Sequence, residues 1–268
     1  MNCEFIHERT STMTQTANEF QGFFADFYDR LHNYTSDAEG FAAILKSCGK
    51  DVLELGSGTG RIAIPLAKAG YNVTGIEYEA DMIALMEQKD YPRENLRAIQ
   101  ADARNFSLGQ LFDAVLLSCN FVNLFTDAKD LADVLNCCRK HLKPEGRVII
   151  DCSVPDTEYM VRSNGEEEVL TFPTESGSEI KDYFLPRYDL LNQVEEDTIR
   201  LEEWKDGRLL REARTEEKLT WYYPREIRSL IREAGLRILW ESAGLTPDHA
   251  AQPITPESEN MVFCCGLN

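Results

Sequence analysis

Glu54, Gly56, Gly58 and Gly60 fall together in the stretch Asp51-Val-Leu-Glu-Leu-Gly-Ser-Gly-Thr-Gly-Arg61. An aliphatic run, Val52 to Leu55, ends in glycines at alternate positions, and a helical pattern begins at Ile62. A turn this tight uses backbone angles that a Cβ disfavours, and a ligand reaches the main chain only where no side chain intervenes. The N–H groups opening the next helix offer donors to a polar ligand group. Two further acids, Glu77 and Asp102, each close a later apolar stretch. Acids and open backbone at successive strand ends make a site for a polar small molecule, and the remaining question is which one.

Glu77 offers two acceptor oxygens, which suit the paired hydroxyls of a ribose. Asp102 can accept from the amino group of an adenine while the Ala103 N–H meets a ring nitrogen. Met82 gives the adenine an apolar face and Tyr78 walls the same pocket. A nicotinamide dinucleotide site would space its glycines G-x-G-x-x-G. Here the third glycine comes one residue early, and Arg61 stands where that fingerprint requires glycine.

The string Glu54-Leu-Gly-Ser-Gly-Thr-Gly-Arg61 resembles motif I of the class I S-adenosylmethionine-dependent methyltransferases. The resemblance implies that Glu54 lies near the methionine end of the cofactor and that Gly56, Ser57, Gly58 and Gly60 let its amino-acid and ribose parts lie against the backbone. It gives Glu77, Tyr78, Met82, Asp102 and Ala103 the ribose and adenine roles described above, and places Ser118 at the end of the fourth strand beside the cofactor. Phe24 to Tyr34 is similar to the N-terminal lid helix of small-molecule methyltransferases, whose tyrosines close over the cofactor, here Tyr28 and Tyr34. Both tyrosines equally suit packing positions with wet hydroxyls. His141-Leu-Lys-Pro-Glu-Gly-Arg-Val-Ile-Ile150 resembles the family's segment before its fifth strand.

The elements that must position these residues alternate. Strands are expected at Asp51–Leu55, Tyr71–Glu77, Leu96–Ala101, Phe112–Ser118 and Arg147–Cys152, with helices at Arg61–Ala69, Ala80–Lys89 and Ala128–Leu142. Such alternation predicts a parallel sheet with helices on both faces, and ligands bind outside the carboxyl ends of its strands. Residues 153–180 read as irregular, with Glu166 to Glu168 a solvated loop. Lys181–Leu191, Gln193–Trp204 and Arg208–Tyr222 read as strands, the second with one wet face. They resemble the antiparallel lid sheet inserted in some small-molecule methyltransferases, which puts Tyr183, Tyr188, Trp204, Trp221 and Tyr222 forward as a substrate wall. A small structural sheet or a dimer surface accounts for each of these aromatics equally well. Pro224 and Gly235 bracket a helix, and two strands, Arg237–Glu241 and Glu259–Cys265, close the chain.

The expected fold is thus α/β: a Rossmann-like seven-stranded methyltransferase sheet, mostly parallel with the last strand antiparallel, and an inserted antiparallel β lid. Residues 1–18 form a flexible tail, 19–152 and 223–268 the S-adenosylmethionine-binding core with its N-terminal lid helix, and 153–222 the substrate lid.

The 268-residue chain carries a net charge of −18, which argues against nucleic acid and anionic membranes as partners. No run of about 18 apolar residues occurs, and the polar N-terminus lacks a signal-peptide core. A cytoplasmic location is expected. Eight cysteines form no C-x-x-C pair, and four histidines stand far apart, so no metal site is expected. His32, near the predicted lid, is the one histidine suited to testing as a base. Asn120 and Asn123, after the fourth strand, can orient an acceptor or cap the next turn.

The function expected from the resemblance is transfer of a methyl group from S-adenosyl-L-methionine to nitrogen or oxygen of a small-molecule substrate, by alignment and without a metal. The alternatives are an NAD(P)-dependent oxidoreductase and a non-enzymatic S-adenosylmethionine-binding protein. The residues name no catalytic base, no particular acceptor and no oligomeric state.

Overall fold

Val52, Leu53 and Leu55 are fully buried although they point to opposite faces of their strand. A near-continuous aliphatic strand of this kind needs cover on both sides, and the computed structural model supplies it. The structure describes residues 20–32 and 36–268. The expected tail 1–18 and Tyr34 lie outside the described residues.

In chain order the elements are α1 (Gly22–Leu31), α2 (Ser36–Leu45), β1 (Asp51–Leu55), α3 (Ala63–Lys68), β2 (Asn72–Glu77), α4 (Ala80–Glu87), β3 (Leu96–Gln100), β4 (Phe112–Leu117), α5 (Ala128–Lys140) and β5 (Leu142–Ser153). They continue with α6 (Thr157–Ser163), β6 (Glu168–Pro173), β7 (Glu179–Asp189), β8 (Val194–Lys205), β9 (Arg208–Thr220), α7 (Pro224–Glu233), β10 (Leu236–Ser242) and β11 (Asn260–Leu267). A seven-stranded sheet runs β10-β11-β5-β4-β1-β2-β3, and a four-stranded sheet runs β6-β7-β8-β9.

In the larger sheet β11 is antiparallel to both its neighbours, while β1 to β5 pair in parallel. The expected seven-stranded sheet with an antiparallel last strand is therefore observed. On one face Leu53, Leu55 and Val115 meet Leu131, Val134 and Leu135 of α5 and Ile227 and Ile231 of α7. On the other, Val52 and Leu116 meet Phe41 and Leu45 of α2 and Leu66 of α3. Glu54 shares the parity of Val52, so its carboxyl enters the α2 side of the sheet. The strand order reverses direction between β1 and β4, and ligands of open α/β sheets bind at such a switch point.

The second sheet is antiparallel throughout. It meets the body through α1, where Phe24 and Phe27 pack on Ile180 and Leu201. Two expectations need correction. Residues 153–180 hold α6 and β6. Helix α6 is only seven residues long, too short to show a period, and is started by Asp156, whose carboxylate accepts from Tyr159 N at 2.9 Å. Strand β6 is an edge with nearly every residue exposed, so it lacks an alternating pattern. The expected wet face of the second strand is only partial: Glu196 on it is exposed, but Glu202 on the same face is buried. Among the described residues no helix is long and apolar enough to cross a membrane.

Candidate active site

The turn after β1 is pinned to β2. Gly56 N and Ser57 N both donate to Ile76 O, at 2.8 and 3.1 Å, and Gly60 N donates to Ser57 O at 2.9 Å. Gly56, Gly58 and Gly60 have φ of +68°, +52° and +85°, in the left-handed region. At Gly56 an added Cβ would also lie 2.4 Å from the Phe121 ring. The turn thus presents bare backbone to a cavity of about 900 Å³ that opens at the carboxyl ends of β1, β2 and β4.

Beneath the turn Glu54 is almost fully buried, and its Oε1 accepts from Ser118 Oγ at 2.8 Å. Its other oxygen, Oε2, has no hydrogen-bond partner. Burial disfavours the charged form and pushes this carboxyl up to about 8, against the pull of Ser118 and Arg61. Arg61 donates to Asp37 on α2 and to Cys119 Sγ at 2.6 Å, so the residue in the third-glycine position of a dinucleotide fingerprint instead ties α2 to the turn.

The raised Glu54 carboxyl has a measurable consequence. Unfolded, it ionises near its ordinary 4.5; folded, it keeps its proton to about pH 8. The folded chain holds the extra proton between those values, so this group's contribution to stability is present below the lower value and is lost as pH rises towards the upper one. Between pH 5 and pH 8 the wild type is expected to lose more stability, by urea denaturation, than Glu54→Gln. Equal losses would show that Glu54 ionises normally.

Glu77 ends β2 with its carboxylate against the turn: Oε2 accepts from Gly58 N at 2.8 Å and Oε1 from Glu79 N at 2.9 Å. The backbone of Tyr78 also hydrogen-bonds this carboxylate, so three of its four lone pairs are met and one is left for a ligand donor. Met82 is buried one helical turn further on, and the exposed Tyr78 also borders the cavity. Asp102 and Ala103 border it too. Both oxygens of the Asp102 carboxylate accept from Arg104, which also donates to Asp130 at 2.8 Å. This fork holds the Asp102 carboxyl below its usual range. Sequence reading missed Arg104, although a guanidinium two residues after a strand-end acid is the available signal.

Helix α1 covers the mouth and brings Tyr28 and His32 to the cavity. It is clasped at both ends. Gln21 Nε2 donates to Glu79 at 2.7 Å and Gly22 N to Asp81 at 2.9 Å, while Asp29 accepts from Thr59 and pairs with Lys89 at 2.6 Å. The Tyr28 and His32 rings lie 4.4 Å apart. Burial, and then the Arg61 charge, lower the His32 imidazole.

The loop after β4 passes through two non-glycine residues at positive φ, Cys119 (+58°) and Asn120 (+60°). Asn120 Oδ1 accepts from Ser153 N at 2.7 Å and Ser153 Oγ at 3.0 Å. Its carbonyl therefore fastens β4 to β5, and Asn120 also borders the cavity. Asn123, Ser118 and Tyr188 border the cavity as expected. Tyr222 does not: it is buried, and its hydroxyl donates to Phe125 O at 2.7 Å. Parity decides this, because Trp221 continues the face of Leu219 into the cavity and Tyr222 turns away. Tyr183 and Trp204 sit on the other face of the second sheet, where both donate to Glu202. Glu54, Ser57 and Gly60 are not among the residues that border the cavity. Phe121, Tyr159 and Glu195 border the cavity and were not foreseen.

Residues 52–146 match the family model described as a methyltransferase domain. The chain is 27% identical to the cypemycin N-terminal methyltransferase of Streptomyces sp., over 88% of this chain and 92% of that protein. It is 28% identical to dTDP-3-amino-3,6-dideoxy-alpha-D-glucopyranose N,N-dimethyltransferase of Streptomyces fradiae, over 50% of this chain and about half of that relative (54%). Among solved structures, a sugar N-methyltransferase of Streptoalloteichus sp. superposes with a TM-score of 0.75 at 17% identity, covering 97% of this chain and 98% of that one. An S-adenosylmethionine-dependent methyltransferase of Clostridium acetobutylicum gives 0.72 at 18% identity, over 91% and 98%. The structural likenesses show the fold.

Proposed function

The chain belongs to the class I S-adenosylmethionine-dependent methyltransferases, and from that premise we propose that it methylates a nitrogen of a small organic amine inside this cavity. One observation carries the reading: the bare Gly56–Gly58 backbone, the Glu77 carboxylate and the unpartnered Glu54 oxygen border or underlie a single cavity. These groups fit the cofactor part by part. Glu77 takes the ribose hydroxyls, Met82 and Tyr78 flank the adenine, and Ala103 N–H meets its ring. The turn receives the amino-acid portion, with Ser118 and the Glu54 carboxyl on the side of its ammonium. Tyr28 closes over the top on α1.

The cofactor, when bound, would supply an activated methyl group on a positively charged sulfur, which leaves as a neutral thioether. The chain's own work is alignment and exclusion of water. The acceptor amine must arrive neutral, since its lone pair forms the new nitrogen–carbon bond, and the resulting ammonium then releases a proton. Modest base demand agrees with the absence of a committed catalytic residue. Residues 153–222 are read as the cover over the acceptor, carrying Tyr188 and Trp221 to it.

Nitrogen is preferred to oxygen because the cavity's far wall is acidic and because the relatives above are named for N-terminal and amino-sugar methylation. The net charge of −18 speaks against a nucleic-acid acceptor. The seven described cysteines are unpaired, in keeping with a reducing, cytoplasmic setting. Incubation with S-adenosylmethionine and matched panels of amines, phenols and carboxylic acids tests the reading. Methylated product is expected from amines; methylation of phenols alone would overturn the choice of nitrogen.

A further inference from the structure

The strands that line the acceptor side of the cavity carry a carboxyl with two hydrogen-bond donors of its own. Register sets Tyr188 on β7 directly opposite Glu195 on β8, and Asp197 lies two residues further along the same face. Tyr188 and Glu195 border the cavity, whereas Asp197 is buried.

The three side chains form one row of hydrogen bonds. Glu195 is bonded to the Tyr188 hydroxyl on one side and to the Asp197 carboxyl on the other. Burial, and then the Glu195 charge, push the Tyr188 hydroxyl well above its usual range, so it stays protonated and donates. Burial first, then the charges of Glu195 and of Glu217 on β9, push the Asp197 carboxyl up to about 8, so at neutral pH it also keeps its proton and donates. Two adjacent carboxyls thus share one proton, and the negative charge rests on Glu195, the member that opens on the cavity. Burial raises the Glu195 carboxyl too, and its two donors oppose that rise. Of the other neighbours, Tyr159 of α6 acts on Tyr188, Leu219 of β9 faces Glu195 in register, and Lys218 pairs with Glu196 at 2.7 Å.

Buried acids are costly, and a perturbed acid that opens on a cleft marks a place where protons are handled. Several other carboxyls on the cavity are committed elsewhere. Arg104 forks Asp102 and Asp130, Asp156 starts α6, and Glu77 and Glu79 hold the turn and α1. The chemistry has a use for Glu195. An alkyl amine with a pKa of about 10 is neutral in only about one molecule in a thousand at pH 7, and the neutral nitrogen is the one that attacks.

We propose that Glu195 is the base that frees the acceptor nitrogen, with Tyr188 and Asp197 as its positioning residues. The Glu195 carboxylate takes one proton from the acceptor's ammonium. The lone pair left on nitrogen forms the bond to the methyl carbon, and the carbon–sulfur pair stays with sulfur. The methylated ammonium carries the positive charge away, and Glu195 returns its proton to water. This rests on the nitrogen-methyltransferase reading above. His32 is the rival base. It stands on α1, whose Asp29 is tied to Thr59 of the glycine turn, and so on the cofactor side of the cavity.

The test is steady-state methylation by the full chain between about pH 6 and pH 10, with benzylamine, cyclohexylamine and spermidine as acceptors. With whichever amine the wild type uses best, Glu195→Gln is expected to lower kcat about 100-fold or more at pH 7, while S-adenosylhomocysteine affinity by calorimetry holds. The deficit is expected to shrink about tenfold per pH unit above that, because the solution itself then supplies neutral amine. Tyr188→Phe takes one donor from Glu195 and is expected to move the acid limb of the profile to higher pH, a shift that lost packing does not produce. It stands in if Glu195→Gln does not fold. Glu166→Gln, in an exposed loop, is expected to leave the profile unchanged. A loss in Glu195→Gln that does not depend on pH, an unmoved acid limb in Tyr188→Phe, or a pH-rescued loss in His32→Gln in place of Glu195→Gln overturns the proposal. Methylation of none of the amines by a wild type that binds S-adenosylhomocysteine overturns the choice of nitrogen and this inference with it. Failure to bind S-adenosylhomocysteine overturns the methyltransferase reading itself.

Discussion

Glu77→Ala is expected to weaken S-adenosylhomocysteine binding by about 10- to 100-fold, the loss of one charge-assisted hydrogen bond at ~1.5–3 kcal/mol. Glu77 does two jobs. Its oxygens accept from Gly58 N and Glu79 N, fixing the turn, and the carboxylate borders the cavity at the position assigned to the ribose hydroxyls. Burial raises its carboxyl while the backbone donors of Glu79 and Gly58 oppose that rise. Glu77→Gln separates the two jobs. It keeps one acceptor oxygen and places an NH2 against backbone donors, so an intermediate loss of affinity is expected. Calorimetry on both variants checks this. Wild-type affinity in Glu77→Ala would place the ribose elsewhere.

Gly56→Ala is expected to cost about 2–5 kcal/mol of stability and to abolish cofactor binding. Left-handed backbone at φ +68° costs an alanine about 1–2 kcal/mol, and forcing a methyl into a filled space adds about 1–3 kcal/mol. The space is filled by the Phe121 ring, 2.4 Å from the new Cβ. Gly70 provides the contrast. Its φ is +83°, but nothing lies within 4 Å of an added Cβ, so Gly70→Ala should cost only the backbone part, about 1–2 kcal/mol. Urea denaturation of the two variants reads the difference. Equal costs would mean that Phe121 yields freely and the turn is not a fitted surface.

The cofactor end of the site was legible because its signals are local. Parallel strands buried on both faces read as aliphatic runs, so their ends are sharp, and Gly56, Glu77 and Asp102 stand at those ends. Helix α7 was equally plain from Pro224 and Gly235. What escaped depended on pairing or on long-range contact. Trp221 and Tyr222 are neighbours of similar chemistry, and only the parity of β9 decides that the first faces the cavity. Asn120 was read as an acceptor contact or a turn cap, and its bond to Ser153, 33 residues away, is a contact that local pattern does not show. Register alone sets Asp197 opposite Glu217 across β8 and β9. Arg61 was legible as a departure from the dinucleotide fingerprint, and its reach to Asp37 and Cys119 was not.

The central claim is that the turn after β1 and the acid after β2 form an adenosyl-cofactor site. Titration calorimetry of the wild type with S-adenosylhomocysteine and, separately, with NADH tests it most directly. The account predicts saturable binding of S-adenosylhomocysteine and no binding heat from NADH. Saturable NADH binding without S-adenosylhomocysteine binding would contradict it and return the chain to the dinucleotide reading that Arg61 argues against.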